Sequence, residues 1–173
     1  QGRGPNEFSE IIQNPVSLTG KSTPHVDIFD WINKRLTRLI SDPQSHNHFF
    51  TDQHYVLPPE LMLAQRATFL NDTTVISSGG TNRGHLSYCN ISTDECQYIN
   101  HYSVPDGKFS PRSIAELFRG EFAINYDSES IVYASKWIPE ILILDFSGQI
   151  SKRIPLFEYH LDDILMTAED DRK

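Results

Sequence analysis

A strand–turn–strand pattern occurs three times in this chain, and that repetition constrains the fold more than any other feature. In each copy a β-rich run ends at a polar turn residue, namely Asp30, Asn90 or Asp145, and an aliphatic residue follows nine positions later. The turn residues lie about 55–60 positions apart, a period typical of stacked supersecondary units. The sequence therefore predicts a repeat protein built from β-strands.

Two further β-rich runs precede the second and the third turn residue, so each repeat is predicted as four short strands joined in a meander. The run 141–144 is apolar on both faces, as expected of a sheet packed between two neighbouring sheets. Four antiparallel strands per repeat are typical of β-propeller blades. We place the blades at approximately residues 5–40, 66–100 and 120–155, followed by a connection or charged tail at 158–173.

The segments between the predicted blades are rich in proline and polar residues. Residues 41–65 and 101–119 are predicted to be long connections, with a short helical turn within 113–118. A β-sandwich is the alternative architecture for so many short strands, although it leaves the repeat unexplained.

Composition excludes several classes of function. With 15 Lys and Arg against 23 Asp and Glu, the formal net charge is −8, which disfavours binding to a phosphate backbone. No apolar run approaches the roughly 20 residues that a membrane-spanning helix needs. The chain begins with Gln1, so we expect either that a targeting segment has been removed or that the chain is part of a longer protein.

The two cysteines lie on the two arms of one predicted hairpin. Cys89 and Cys96 could face each other across the strand pair and form a disulfide, which would indicate an oxidising compartment. The alternative is two free cysteines packed as small hydrophobic residues.

Three segments resemble a known family. The opening run 2–8, which reads Gly-Arg-Gly-Pro-Asn-Glu-Phe, resembles the segment that begins blades in six-bladed NHL- and TolB-like propellers, and the runs 131–135 and 143–150 resemble blade strands of the same proteins. The chain is therefore identified as similar to the TolB-like six-bladed propellers of Bacteroidetes-type bacteria. The resemblance implies a propeller fold and an exported, lipid-anchored protein of the periplasm or cell surface. It implies no catalytic residues.

About three blades are visible where the family has six. The resemblance therefore implies a partial propeller, and an incomplete ring leaves a sheet edge that two copies could pair through.

A cationic rim is the strongest candidate site in the sequence. The links between second and third strands are predicted to lie on one face, and they carry Lys21, Arg83, Lys136 and Trp137. Positive charge beside an aromatic ring suits an anionic or sugar ligand.

Metal and catalytic sites have weaker signals. His46, His48 and His54 have the residue type of a zinc site but lack a complementary ligand set, so we expect no metal and no other cofactor. Serine-hydrolase chemistry needs a Gly-x-Ser-x-Gly elbow, which the sequence lacks.

These observations favour a non-enzymatic module that binds an anionic, glycan or protein ligand. A fragment of a carbohydrate-active propeller enzyme, with its site completed by further blades, is the alternative.

Overall fold

The computed structural model describes residues 15–19, 24–42, 44–79, 81–100, 102, 109–158, 160 and 164, with the backbone alone for 15–19, 24 and 45–48. Within these residues the chain forms three antiparallel sheets of four strands, each ordered as in the sequence. This confirms the all-β class. The first sheet contains β1 (Pro15–Thr19), β2 (Pro24–Asp30), β3 (Arg35–Asp42) and β4 (Ser45–Val56). The second contains β5 (Arg66–Phe69), β6 (Thr74–Ser78), β7 (Leu86–Asn90) and β8 (Cys96–Ile99). The third contains β9 (Gly120–Asn125), β10 (Ser130–Ser135), β11 (Glu140–Asp145) and β12 (Ile150–Pro155).

Two short helical elements have defined bounds in the described part of the chain. A 3-10 turn spans Pro59–Leu61, and helix α1 spans Pro111–Leu117, starting two residues before the predicted helical turn. The Ser110 hydroxyl caps α1 by accepting a hydrogen bond from the backbone N–H of Ser113 at 3.1 Å, and Pro111 occupies the first turn, where its missing N–H is tolerated. No helix in the described ranges is long and apolar enough to cross a membrane.

The first sheet begins one strand later than the sequence predicts. Residues 45–56, predicted to belong to a connection, form β4 and pair with β3. The side chains of β4 follow strand periodicity at its end, where Tyr55 is buried while His54 and Val56 are exposed. Sequence inspection missed this strand because its three histidines and three acidic or amide residues mask that alternation.

Because the first sheet starts one strand later, a different turn of this sheet is equivalent to the turns after Asn90 and Asp145. Asp30 ends a second strand, whereas Asn90 and Asp145 end third strands, so the predicted equivalence of Asp30 with the other two is wrong. The equivalent residue is Asp42, which ends β3. Its Oδ1 accepts a hydrogen bond from the backbone N–H of Gln44 at 2.8 Å. Asn90 and Asp145 make the same contact to the residue two positions on, at 2.8 and 2.9 Å.

Neighbouring sheets pack face to face in one repeated way. The second strand of each sheet contacts the first strand of the next, as β2 contacts β5 and β6 contacts β9. Val75 belongs to the core between the first and second sheets, and Ile76 to the core between the second and third. Because adjacent residues of a strand point to opposite faces, the middle sheet is buried on both sides.

A polar cluster joins the first two sheets within this apolar packing. The carboxylate of Asp27, which is fully buried, accepts hydrogen bonds from Arg38 Nε at 2.8 Å and Arg38 Nη2 at 3.1 Å. It also accepts from the Thr68 hydroxyl at 2.8 Å and the Phe69 backbone N–H at 3.1 Å. The Tyr126 hydroxyl, from the third sheet, donates to the Phe69 carbonyl at 2.7 Å. One buried carboxylate thus fixes the position of β5 against β2 and β3.

A disulfide closes the outer hairpin of the second sheet. Cys89 and Cys96 are directly opposite in β7 and β8, and their sulfurs are 2.04 Å apart. Cys89 is fully buried in the core between the first and second sheets. The covalent bond therefore connects the edge strand β8 to a core position.

Candidate ligand-binding cleft

A cleft of about 680 Å³ lies at the end of the sheets where second strands are linked to third strands and where one sheet is connected to the next. We call it the link-side cleft. It is lined by the β2–β3 turn (Trp31, Lys34), the segment before β5 (Leu63, Ala64, Gln65), the β6–β7 link (Asn82) and the connection around α1 (Pro111, Arg112, Ala115, Glu116, Arg119). Its volume falls in the range that holds small ligands.

Lys34 provides a buried positive charge in this cleft. Asp30 shapes the turn by accepting a hydrogen bond from the backbone N–H of Asn33 at 3.1 Å, and Lys34 follows with a left-handed φ of 51°. Its side chain is only 9% exposed; Nζ donates to the Ala64 carbonyl at 3.1 Å and lies 5.2 Å from the centre of the Trp31 ring. Burial lowers the pKa of Lys34, and in the described part of the chain no carboxylate lies within salt-bridge distance of its ammonium.

Glu116 holds a second group of donors at the cleft. Its Oε1 accepts from Arg119 Nη1 at 2.7 Å, from Trp137 Nε1 at 3.3 Å and from Lys136 Nζ at 3.4 Å. Burial raises the pKa of Glu116, but the hydrogen bonds and charge of Arg119, aided by Trp137 and Lys136, outweigh that effect and hold the pKa below its ordinary value. The carboxylate is therefore an internal anion bound to the cations that surround the cleft.

The net charge of the cleft lining is positive, whereas that of the whole chain is negative. Of the described residues that line it, Lys34, Arg112 and Arg119 are basic and one, Glu116, is a carboxylate, although the chain carries a formal net charge of −8. A positive cleft in an acidic protein attracts small anions, and more strongly at low ionic strength.

The structure distributes the predicted rim residues unequally. Lys136 and Trp137 adjoin the link-side cleft through Glu116. Arg83 follows the lining residue Asn82, but its guanidinium lies over the Tyr98 ring at 5.2 Å. Lys21 is outside the described residues; the strand ends that flank its link, Thr19 and Pro24, lie at the opposite end of β2 from the cleft.

Sequence reasoning missed four residues that line the cleft, namely Trp31, Lys34, Arg112 and Arg119. The predicted equivalence of Asp30 with Asn90 places the turn that contains Trp31 and Lys34 at the other end of the sheet, and that equivalence is wrong. Arg112 and Arg119 lie in a segment that was predicted only as a connection. A basic and aromatic composition in the turn after Asp30 was the available signal.

The histidines considered for zinc do not form a described site. The side chains of His46 and His48 lie outside the described part of the structure. The ring of His54 contacts the Thr37 hydroxyl at 3.4 Å, and burial and the charge of Arg35 lower its pKa. Among the side chains that are described, no three His, Cys, Asp or Glu residues form a group that could hold a metal ion.

No protein-family model matches the chain, and no curated protein matches it. A solved structure of a DUF4221 family member from Bacteroides vulgatus is similar, with a TM-score of 0.44 and 12% sequence identity. The match covers 79% of this chain and 41% of that protein's length.

Proposed function

We propose that this chain is a non-enzymatic binding module whose three sheets are consecutive blades of a β-propeller of the TolB-like, six-bladed type. The repeated packing of a second strand on the next sheet's first strand supports this proposal. Each sheet is a meander, which is the arrangement of a blade.

The outward face of the third sheet supports the proposal that the propeller ring contains further blades. Val132, Ile141 and Ile143 share that face, away from the core that contains Leu142 and Leu144. Val132 is 39% exposed, and Ile141 and Ile143 are half-buried. Apolar residues in this pattern suit the packing of a further sheet, supplied by a longer chain or by a second copy.

The proposed ligand is a small anion bound in the link-side cleft. The observation that carries this proposal is the buried ammonium of Lys34, which has a carbonyl partner and no carboxylate among the described residues. A buried cation gains most from a partner that brings the opposite charge. The exposed part of Trp31 adds an apolar surface beside that charge.

We also propose that the protein acts outside the cytosol, at the periplasm or cell surface. The Cys89–Cys96 disulfide supports an oxidising compartment, since such bonds are rare where thiols are kept reduced.

Replacing Lys34 tests the proposed site. We expect calorimetric titration with phosphate, sulfate, citrate and galacturonate, each at low and high salt, to show saturable binding of at least one of these anions. Lys34→Met keeps the aliphatic stem against Trp31 but removes the charge, so we expect affinity to fall by about 10- to 100-fold. Lys152→Met is the matched control, because Lys152 is exposed on β12. Equal losses in both variants, or no anion bound by the unmodified protein, would rule out the site.

Replacing Glu116 should have the opposite effect. Glu116→Gln removes the negative charge that competes with a ligand for Arg119 and Lys136, while an amide oxygen remains to accept hydrogen bonds. We expect the same anion to bind about 3- to 10-fold more tightly in titrations at low salt. Glu158→Gln, at an exposed position after β12, should leave affinity unchanged. Weaker binding by Glu116→Gln would instead show that this carboxylate organises the site.

A further inference from the structure

A second cavity lies at the opposite end of the second and third sheets. Its volume is about 440 Å³, and it is bounded by the β5–β6 turn, the β7–β8 hairpin and the β11–β12 turn. Turns that join first to second and third to fourth strands lie at the other end of a meander from the link-side cleft. The two cavities are therefore separate.

Two asparagine side chains line this cavity, and in each the amide oxygen is hydrogen-bonded while the NH2 group remains available as a donor. Asn71 Oδ1 accepts from the Thr73 backbone N–H at 2.9 Å, and Asn90 Oδ1 accepts from the Ser92 backbone N–H at 2.8 Å. These bonds fix the carbonyl end of each amide. In the described part of the chain neither Nδ2 group has a hydrogen-bond partner, so each presents two donors from a fixed position.

A buried hydroxyl in the cavity wall independently indicates a missing partner. The Tyr88 ring lines the cavity, and its hydroxyl oxygen is buried without a hydrogen bond to any described residue. Burying an unpaired hydroxyl is unfavourable, and buried polar groups in folded proteins are normally paired with a protein group or an ordered water. A water or a ligand hydroxyl that reaches Tyr88 would supply this partner.

The remaining lining selects the chemical class of the ligand. Among the described residues no Lys, Arg or His lines the cavity, and Glu95 is the one carboxylate in that lining. Phe146 and Ile99 contribute apolar surface. Amide donors, a carboxylate acceptor and a small apolar patch suit a molecule with several hydroxyl groups and an apolar ring face. We propose that this cavity, which we call the turn-side site, binds a neutral polyhydroxylated ligand of about one sugar ring.

Substitutions that preserve the turns test the turn-side site. Asn90→Asp keeps the oxygen that the Ser92 N–H requires but replaces the NH2 donor with a second acceptor. Tyr88→Phe removes only the hydroxyl. Asn125→Asp is the matched control, because Asn125 makes the same turn contact with Asp127 in the third sheet and does not line the cavity.

The probes are a panel of methyl pyranosides and linear polyols, titrated at millimolar concentrations into the full chain and followed by NMR. We expect at least one probe to bind, with affinity reduced about tenfold or more by Asn90→Asp and Tyr88→Phe and unchanged by Asn125→Asp. Lys34→Met should also leave it unchanged, which separates this site from the link-side cleft. No binding by any probe, or equal sensitivity to Asn90→Asp and Asn125→Asp, would overturn the proposal.

Discussion

Replacing Arg38 with Met is expected to destabilise the protein by about 3–5 kcal/mol, the largest effect of any substitution considered. The substitution leaves the Asp27 carboxylate fully buried without its cation. Thr68 and Phe69 still donate to Asp27, but two neutral donors do not balance a buried negative charge. Asp72, the second carboxylate near Arg38, is 97% exposed and adds little to stability.

Urea denaturation with matched variants measures this effect. Arg83→Met is the control for loss of an arginine over an aromatic ring, since Arg38 lies 4.8 Å from the Phe69 ring centre and Arg83 lies 5.2 Å from that of Tyr98. Arg83 is exposed, so we expect its replacement to cost at most about 0.5 kcal/mol.

The double variant Asp27→Leu/Arg38→Met should lose less stability than Arg38→Met alone, because it removes both buried charges. Equal stability of the Arg38→Met and Arg83→Met variants would show that the buried pair does not hold the first two sheets together.

The third sheet could be predicted from the sequence because its hydrophobic pattern and its turn residues indicate the same strands. Strands β10 and β11 were predicted to within a residue or two, since an apolar run on both faces is rare outside a packed sheet. The turn between β9 and β10 is rich in acidic and hydroxyl side chains. There Asn125 accepts a hydrogen bond from the Asp127 backbone N–H, as side chains of this type favour. In this part of the chain, short-range chemistry decides the structure.

The first sheet was predicted less well because short-range chemistry does not distinguish its turns. Asp30 and Asp42 each end a strand and each accept a hydrogen bond from a backbone N–H two or three residues later. The pairing of β3 with β4 and the contact of β2 with β5 show which of them corresponds to Asn90. That contact is long-range, and one sequence carries no direct record of it. The same ambiguity hid the link-side cleft, since the end of the sheet at which Lys34 lies depends on that correspondence.

Reducing the Cys89–Cys96 disulfide is expected to destabilise the protein by about 2–3 kcal/mol. The bond closes a loop with a sequence separation of 7, and in the chain-entropy model a loop of that size constrains the unfolded chain by about this amount. Reduction also frees the edge strand β8, whose remaining attachment to β7 is a ladder of four residue pairs. We therefore expect β8 amides to lose protection from hydrogen exchange before those of β6, which lies inside the sheet.

Urea denaturation with and without reductant measures this stability difference. The double variant Cys89→Ala/Cys96→Ala should be equally stable in both conditions, which separates loss of the bond from other effects of the reductant. A variant that removes volume at Cys89 also opens space in the core between the first two sheets, because Cys89 is fully buried there. Its stability should therefore lie below that of the reduced natural sequence. If the natural sequence has the same midpoint before and after reduction, the hairpin is held by its neighbours in the sheet and the bond serves no stabilising role.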